Sequence, residues 1–297
     1  MKVTKSNLAD LSLLLAQVIW GSTFFIVKDI QKFVPAMVLL TYRFLIPTLI
    51  FAGYLLLKKK AIFSNLKTGF ILGLVLWLGY ASQTIGLNIT SAANSAFITG
   101  LFVVFIPLIA ILFGQRSFPK KNYVSWTVSL LGLWILTGGI YGINKGDMIT
   151  LITALAVASH VLLTDHFVKE KIDPYILSFQ QLFFVGLFSL FFALIFKMPF
   201  AVPNQKILLE VLYLAIFASL LVYGVQTVAQ KYTSPIKVGL IFGMETVFAS
   251  LFTWTLGGEQ FTPLRAFGGL LIFLAILITE LPIEKIKILK QISILSK

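Results

Sequence analysis

The sequence contains no cysteine, and charged residues make up only 12% of its 297 positions. Without cysteine there is no disulfide framework, no thiol nucleophile and no thiolate metal site. A soluble domain of this length has about a quarter of its residues charged. Too few polar side chains are therefore present to cover a surface that faces water, which excludes an ordinary soluble fold.

The sequence is rich instead in long apolar runs. Hydrophobic residues account for 58% of the chain, and the mean hydropathy is +0.96. Short basic or Pro/Gly segments separate runs that are each about one bilayer thickness long. A run such as 187–196 (LFSLFFALIF) lacks the alternation of a membrane barrel strand. The composition predicts an all-α integral membrane protein whose main partner is the lipid bilayer.

The net charge of +13 is explained by membrane topology rather than by nucleic acid, because the Lys and Arg residues lie between the apolar runs. The first run follows Lys2 and Lys5 and so resembles a signal peptide. It has no small-x-small cleavage site, however, and leads into Trp20-Gly21-Ser22. We therefore expect it to be retained as the first membrane span, and we expect no nucleic-acid partner.

Apolar runs of about 20 residues predict ten transmembrane helices joined by short loops, with no soluble domain. The predicted spans are 8–28, 35–57, 68–88, 92–113, 122–142, 147–167, 174–196, 207–230, 235–257 and 264–282. The side that holds both termini carries 17 of the basic residues and the other side carries 6. Because excess Lys and Arg stays cytoplasmic, the sequence predicts a multi-pass protein of the inner (plasma) membrane with both termini in the cytoplasm.

The chain contains an internal repeat. Residues 80–100 (YASQTIGLNITSAANSAFITG) and 223–243 (YGVQTVAQKYTSPIKVGLIFG) share seven of 21 positions at a shift of 143 residues. The repeat predicts two five-helix units, residues 1–143 and residues 144–297, the second with a short basic C-terminal tail. Since five is odd, the second unit crosses the membrane in the opposite sense. Inverted repeats of this kind are typical of carriers that rock about a site at the repeat interface.

Four segments carry a family resemblance: Trp20-Gly21-Ser22-Thr23-Phe24, Arg43-Phe44, residues 90–113 and residues 244–259. In order and spacing, over essentially the whole chain, they resemble the EamA family of the drug/metabolite transporter superfamily. The resemblance implies a ten-helix inner-membrane carrier with a central cavity between its halves, often an exporter of amino acids or other small metabolites. The family usually has Glu-Pro where this chain has Glu245-Thr246, so the proline kink of span nine is not expected here.

Polar residues near the centres of the predicted spans are the candidate substrate-binding residues, because polar groups inside a membrane usually face a cavity or a partner. Side chains at i and i+3 share a helix face, so each Tyr-x-x-Gln of the repeat forms one polar patch. An inverted twofold axis then brings both patches to one pocket. The candidates are Trp20, Arg43, Tyr80, Gln83, His160, Gln181, Tyr223, Gln226 and Glu245.

Several of these residues have two interpretations. A carboxylate at the bilayer centre costs at least about 2.5 kcal/mol, so Glu245 either couples transport to protons or forms a buried ion pair with Arg43. Arg43 either binds a substrate carboxylate through its planar fork or braces helices through backbone carbonyls. His160 and Gln181 either contact substrate or bond a neighbouring helix, and Trp20 either lines the cavity or packs.

These features predict a secondary transporter of a small organic metabolite by alternating access, proton-coupled, with aromatic or large neutral amino acids as the expected class and export as the expected direction. No Walker A motif is present, so ATP is not the direct energy source. The alternatives are a membrane-embedded enzyme that uses His160, Asp165 and Glu245, or a ligand sensor with the same pocket. The sequence lacks the H-E-x-x-H and G-x-S-x-G motifs, and we expect no enzyme activity, cofactor or metal.

Overall fold

The computed structural model describes residues 4–90, 92–114, 118–138, 144–256 and 260–280. Within these ranges the chain is helical and contains no strand. The helices are α1 Lys5–Gly21, α2 Thr23–Ile30, α3 Ala36–Leu57, α4 Leu66–Ile89, α5 Ala92–Gly100, α6 Phe102–Leu112, α7 Lys120–Thr137, α8 Lys145–Lys169, α9 Pro174–Ile195, α10 Gln205–Ala215, a π-helical segment Ile216–Leu221, α11 Val222–Gln230, α12 Pro235–Phe242, α13 Met244–Thr255 and α14 Pro263–Glu280.

These helices form the ten spans of a multi-pass membrane protein. In order, spans 1 to 10 are α1–α2, α3, α4, α5–α6, α7, α8, α9, α10–π–α11, α12–α13 and α14. Eight helical segments of the described chain are long and apolar enough to cross a membrane, and α14 contributes a shorter apolar helix over Pro263–Ile278. The predicted ends of spans 5, 9 and 10, at 139–142, 257 and 281–282, lie outside the described residues.

Several helices begin at side-chain caps that the sequence supplies. Asn144 and Asp147 form a reciprocal capping box at the start of α8, and Asn204 and Ser234 cap α10 and α12. Pro174 occupies the first turn of α9, where its missing N–H costs nothing. Each cap satisfies donors that would otherwise be stranded at a helix start. The caps therefore define where each span leaves its loop.

Three spans are interrupted rather than continuous. Span 1 breaks at Ser22, span 4 at Leu101 after Gly100, and span 9 at Gly243. Gly100 and Gly243 are equivalent at the 143-residue shift, so the repeat preserves this break. A Cβ atom at Gly100 would lie 2.8 Å from Leu133 Cδ2, which explains why glycine stands there. Span 9 is thus broken without the family's proline, at Gly243, just before Glu245.

Packing between spans follows the symmetry of the repeat. Exchange of the two halves turns span 3 into span 8 and span 6 into span 1. The structure packs span 3 on span 6 and also span 8 on span 1, the first pair more closely than the second. Spans 1 and 9 pack together as spans 6 and 4 do. Spans 2 and 7 contact each other, as do spans 5 and 10. The fold is therefore two five-helix repeats of opposite orientation.

Candidate functional site

A narrow cavity lies between the two halves. Both units of the repeat contribute to its wall, and eight of the nine candidate residues line it. Gln181 is the candidate that does not. The lining residues are Trp20, Thr23, Arg43, Val75, Leu76, Gly79, Tyr80, Gln83, Thr99, Phe102, Thr153, Ala156, Val157, His160, Tyr223, Gln226, Phe242 and Glu245.

Two tyrosines meet at the centre of this cavity. The Tyr223 hydroxyl donates a hydrogen bond to the Tyr80 hydroxyl at 2.8 Å, and the ring centroids are 6.2 Å apart. Trp20 packs 5.4 Å from Tyr223 and 5.3 Å from Phe242, while Phe44 packs 4.8 Å from Tyr80. Edge-to-face contacts of this kind hold aromatic rings firmly in place. They give the cavity an aromatic wall with two hydroxyl groups at its middle.

Arg43 is the cation of the site and is only 3% exposed. Its guanidinium carbon lies 4.6 Å above the centre of the Tyr80 ring, and its Nε donates to Ser219 Oγ at 3.2 Å. Arg43 does not form a salt bridge with Glu245, so the structural ion pair between them is absent from the described part of the chain. Its hydrogen bonds go to side-chain hydroxyls rather than to backbone carbonyls. Aromatic stacking, the bond to Ser219 and a long 3.5 Å bond to the Tyr80 hydroxyl leave part of the guanidinium fork available to a ligand.

The π-helical segment Ile216–Leu221 is built into this arrangement. Trp20 Nε1 donates to the carbonyl of Ala218 at 2.8 Å, and Ser219 in the same segment holds Arg43. A π-helical turn is wider than an α-turn and often marks a functional site. The equivalent stretch of the first half lies within the regular helix α4. The sequence pattern did not reveal this asymmetry, because the segment is apolar apart from Ser219.

Gln181 lies behind His160 and fixes its orientation. The Thr227 hydroxyl donates to the Tyr223 carbonyl at 2.8 Å, so it accepts from Gln181 Nε2 at 3.2 Å. Gln181 Oε1 therefore faces His160 Nε2, at 2.7 Å, and must be the acceptor. In the neutral ring the proton is then on Nε2, and Nδ1 is an acceptor. His160 thus both lines the cavity and bonds a neighbouring helix.

Glu245 and Gln226 are acceptors that the second half contributes to the site. Glu245 is half-buried in the first turn of α13, where the helix N-terminus favours negative charge. Gln226 is 1% exposed and donates to Gln230 Oε1 at 3.1 Å, while its own Oε1 has no partner within the described chain. Gln83 is held more weakly, by a 3.5 Å bond to Thr99. Acceptors and one cation therefore face the same enclosed space.

The proposed enzyme constellation is not assembled. Asp165 bonds Lys169 at 2.8 Å near the end of α8 and does not line the cavity. His166 is 3.2 Å from Glu170. Among the residues that the structure describes, no group of three acidic or histidine side chains is placed to hold a metal ion. Of the three residues in that constellation, the cavity therefore brings together His160 and Glu245 only.

Two ion pairs join the halves at opposite ends of the bundle. Lys60, after α3, contacts Asp173, before α9, at 2.7 Å. At the other end, Lys206 at the start of α10 contacts Asp29 at the end of α2. Lys60 and Lys206 lie near the junction of the second and third spans of their halves. Asp29 and Asp173 lie near the junction of the first and second spans of theirs. The two ion pairs thus occupy equivalent regions of the repeat. The repeat therefore supplies matched polar contacts above and below the cavity.

A second matched set involves the threonines of the repeat. Thr233 donates to Asp10 at 2.9 Å, and Asp10 also contacts Lys237. Thr90, its equivalent at the 143-residue shift, donates to Asp147. Each contact joins the first helix of one half to the loop before the fourth span of the other. Both ends of the bundle are thus held by acid–hydroxyl contacts.

Two inverted five-span repeats that enclose a polar cavity define a membrane transporter. The chain belongs to the EamA-like transporter family, whose profile matches residues 7–138 and 144–281. A protein of Archaeoglobus fulgidus named an uncharacterized transporter is 34% identical over 92% of this chain and 86% of its own length. The uncharacterized transporter YyaM of Bacillus subtilis is 24% identical over 74% and 75%. A solved crystal structure shares the fold, with a TM-score of 0.78 at 15% identity, covering 92% of this chain and 96% of the other.

Some lining residues were not among the sequence candidates. Thr23, Thr99, Phe102 and Phe242 lie next to the helix breaks at Ser22, Leu101 and Gly243. Gly21, Gly100 and Gly243 each adjoin a break, but Gly79 and Gly186 lie within continuous helices, so glycine alone does not identify a break in the sequence. Irregular backbone at membrane depth is tolerated where it lines a cavity.

Proposed function

We propose that this transporter moves a small zwitterionic metabolite, an aromatic or large neutral amino acid, through the cavity by alternating access. The observation that supports this most directly is that Arg43 and Glu245 both face one enclosed space without pairing with each other. A buried ion left without a protein partner is costly. A ligand carrying both charges would satisfy both residues at once.

Each end of such a ligand has a matching wall. The free part of the Arg43 fork suits a carboxylate, which it binds bidentately. An ammonium group needs acceptors, and Glu245, Gln226 Oε1 and His160 Nδ1 supply them. The rings of Trp20 and Phe242 suit a flat or bulky apolar side chain.

Rocking of the two halves would open the cavity to one side at a time. The inter-half contacts Lys60–Asp173 and Lys206–Asp29 lie at opposite ends, so we propose that they part alternately. Exposed ion pairs of this kind contribute little to stability, which suits contacts that break in every cycle.

Glu245 is the proposed proton carrier. It is the carboxylic acid among the residues that line the cavity, and a carboxyl that exchanges a proton with either compartment is the simplest antiport device. Export in exchange for protons across the inner membrane is the proposed direction. The excess of Lys and Arg at the end that holds the N-terminus supports placement of both termini in the cytoplasm.

The test is a ligand screen followed by a flux assay. The detergent-purified protein is screened by thermal shift against amino acids, and a compound that binds the folded protein raises its melting temperature by mass action. That compound is then tested in proteoliposomes for saturable counterflow. Stabilisation by aromatic or large neutral amino acids together with counterflow is the expected result. Stabilisation without any flux would indicate a sensor and would overturn the transport proposal.

A further inference from the structure

A second cavity lies away from the transport site, on the flank of the bundle. It is a groove formed by α1, α3, the start of α9, the π-helical segment and α11. Leu8, Ile50 and Leu221 on its wall are 56%, 47% and 48% exposed. Apolar side chains exposed on this scale are unsuited to water. The groove therefore faces the hydrocarbon of the bilayer.

The mouth of the groove is polar and basic. Tyr54, Tyr175 and Tyr232 lie at its rim, each more than two-fifths exposed, and the Lys5 ammonium lies 5.7 Å from the centre of the Tyr232 ring. Tyrosine and lysine are the residues that proteins place at headgroup level. The rim thus fixes the depth of this end of the groove at the membrane surface.

Further cations surround the rim along the chain. Lys58 and Lys59 follow α3 four and five residues after Tyr54, and Lys231 adjoins Tyr232. All three are exposed, as is Lys5, and none of the four forms a salt bridge with an acidic group of the described chain. Clusters of uncompensated lysines next to membrane spans attract anionic lipid headgroups.

The groove is not a by-product of the repeat. Its equivalent in the other half would lie along α4 and α8, the counterparts of α11 and α1. Those two helices pack closely instead, since a Cβ atom at Gly146 would lie 2.8 Å from Ile89 Cβ and 2.9 Å from the Gly86 carbonyl oxygen. On the groove side, a Cβ atom at Gly224 would meet nothing within 4 Å. At these positions α4 and α8 are in close contact, whereas α11 leaves open space beside Gly224.

We propose that this groove is a binding site for one anionic phospholipid. Its acyl chains lie along the apolar wall beside Gly224, and its phosphate meets Lys5 and the tyrosine hydroxyls at the rim. The groove is formed by helices of both halves, α1 and α3 from the first and α11 from the second. The lipid is thus held at a seam between the units that enclose the transport cavity.

The test compares phosphatidylglycerol with phosphatidylcholine of the same acyl chains. Delipidated full-length protein in detergent is titrated with each lipid, and binding is followed by native mass spectrometry. We expect one phosphatidylglycerol to bind in preference to phosphatidylcholine. Lys5→Gln should weaken phosphatidylglycerol binding about fivefold, as expected for the loss of one basic residue near the headgroup, and should leave phosphatidylcholine binding unchanged.

Two matched glycine substitutions distinguish lipid binding in this groove from general lipid contact. Gly224→Leu fills the groove and should abolish preferential binding. Gly53→Leu adds the same side chain in α3, where a Cβ atom also meets nothing within 4 Å and where the residue does not line the groove; it should have no effect. Equal binding of the two lipids by the unaltered protein overturns the proposal. If Gly224→Leu does not fold, an unchanged lipid preference in Lys5→Gln is sufficient to overturn it.

Discussion

The hydroxyl of Tyr223 donates to the hydroxyl of Tyr80 at 2.8 Å, and the two residues are separated by the 143-residue period of the internal repeat. Equivalent residues of two halves touch each other only at the axis that relates the halves. This hydrogen bond therefore marks the pseudo-twofold axis, and the cavity lies around it. The repeated Tyr-x-x-Gln phrase supplies one wall from each half.

Loss of the Tyr80 hydroxyl should destabilise the protein more than loss of the Tyr223 hydroxyl. Tyr80→Phe removes the acceptor and strands the Tyr223 hydroxyl, which belongs to a residue only 3% exposed; an unsatisfied buried group costs about 1–3 kcal/mol. Tyr223→Phe leaves the Tyr80 hydroxyl beside Arg43, so its cost should be nearer about 1 kcal/mol. Thermal unfolding of both variants and of the double variant in one detergent measures the difference.

The two single variants serve as each other's control, since each loses one hydroxyl. The double variant should be no less stable than Tyr80→Phe, because neither ring then carries an unpaired donor. Equal losses for the two single variants would contradict the hydrogen-bond direction.

Glu245→Gln should abolish the pH dependence of transport while leaving substrate counterflow measurable. Glutamine keeps the size and hydrogen-bonding capacity of the side chain but cannot exchange a proton. Uptake into proteoliposomes with and without an imposed proton gradient measures the effect. Glu210→Gln is the control, because Glu210 contacts Lys206 on α10 and does not line the cavity. If Glu245→Gln keeps the pH dependence of the unaltered protein, Glu245 is not the proton carrier.

Arg43→Lys should weaken binding of a carboxylate-bearing ligand by about tenfold or more, since a charge-assisted hydrogen bond contributes about 1.5–3 kcal/mol. Lysine keeps the charge but loses the planar fork and the stacking on Tyr80. Titration with the compound found by the screen measures the change. Arg265→Lys in α14, outside the cavity lining, provides the same substitution as a control. Unchanged affinity in Arg43→Lys would place the carboxylate elsewhere.

The span count, the inverted repeat and the place of eight of the nine candidate residues in the cavity wall follow from sequence patterns that have a physical cause. A run of apolar residues must cross the bilayer, and costly polar residues within it must face each other. Gln181 shows where this reasoning stops. Span 7 carries two neighbouring glutamines, Gln180 and Gln181, and both are fully buried, so its pattern does not identify the cavity side. Only the packed structure places Gln181 behind His160.

The helix breaks and the π-helical segment could not be predicted from the sequence, for a related reason. Ser22, Leu101 and Gly243 lie within unbroken apolar runs, and transmembrane helices tolerate such interruptions when neighbours satisfy the backbone. The freed carbonyl of Ala218 finds its donor in Trp20, 198 residues away. Pairings at that separation depend on the tertiary fold, which local propensity does not contain.

The Lys60–Asp173 pair should stabilise the fold within a specific pH range. Partial burial would by itself raise the pKa of Asp173, but the hydrogen bond from Lys60 and the backbone N–H groups of Tyr175 and Ile176 outweigh it, so the pKa lies below the ordinary value. Its hydrogen bond with Asp173 raises the pKa of Lys60. An acid whose pKa is lower in the folded protein stabilises the fold at pH values above its unfolded pKa. This stabilisation is lost as the pH falls through its folded pKa. The contribution should thus be complete between about pH 4 and pH 10.

Two substitutions at one position test this pH range. Asp173→Asn removes the charge but keeps a side chain that caps α9, whereas Asp173→Ala also loses the cap, at about 1 kcal/mol. The melting-temperature difference between Asp173→Asn and the unaltered protein should be present at pH 7 and should shrink as the pH falls below about 4. The difference between the Asn and Ala variants should persist at both pH values. If Asp173→Asn lowers the melting temperature by the same amount at both pH values, the charge of Asp173 is not the source of the stabilisation.

Gly21 allows α1 to approach α13 closely at the site. It ends α1 directly before the break at Ser22, and a Cβ atom there would lie 2.6 Å from Phe248 Cβ and 2.8 Å from the backbone nitrogen of Ala249 in α13. Backbone cannot move aside as a flexible side chain can, so Gly21→Ala must push α1 away from α13, the helix that carries Glu245. Overpacking of this kind costs about 1–3 kcal/mol. Gly21→Ala should therefore lower both the melting temperature and the affinity for substrate, because Trp20 and Glu245 lie on the two displaced helices.

Gly53→Ala is the matched control for this prediction. A Cβ atom at Gly53 meets nothing within 4 Å, and alanine is favoured over glycine within a helix by about 1 kcal/mol. The melting temperature of Gly53→Ala should therefore stay the same or rise, with substrate affinity unchanged. If Gly21→Ala were to behave like Gly53→Ala in both measurements, the close approach of α1 and α13 would not be what positions Trp20 opposite Glu245.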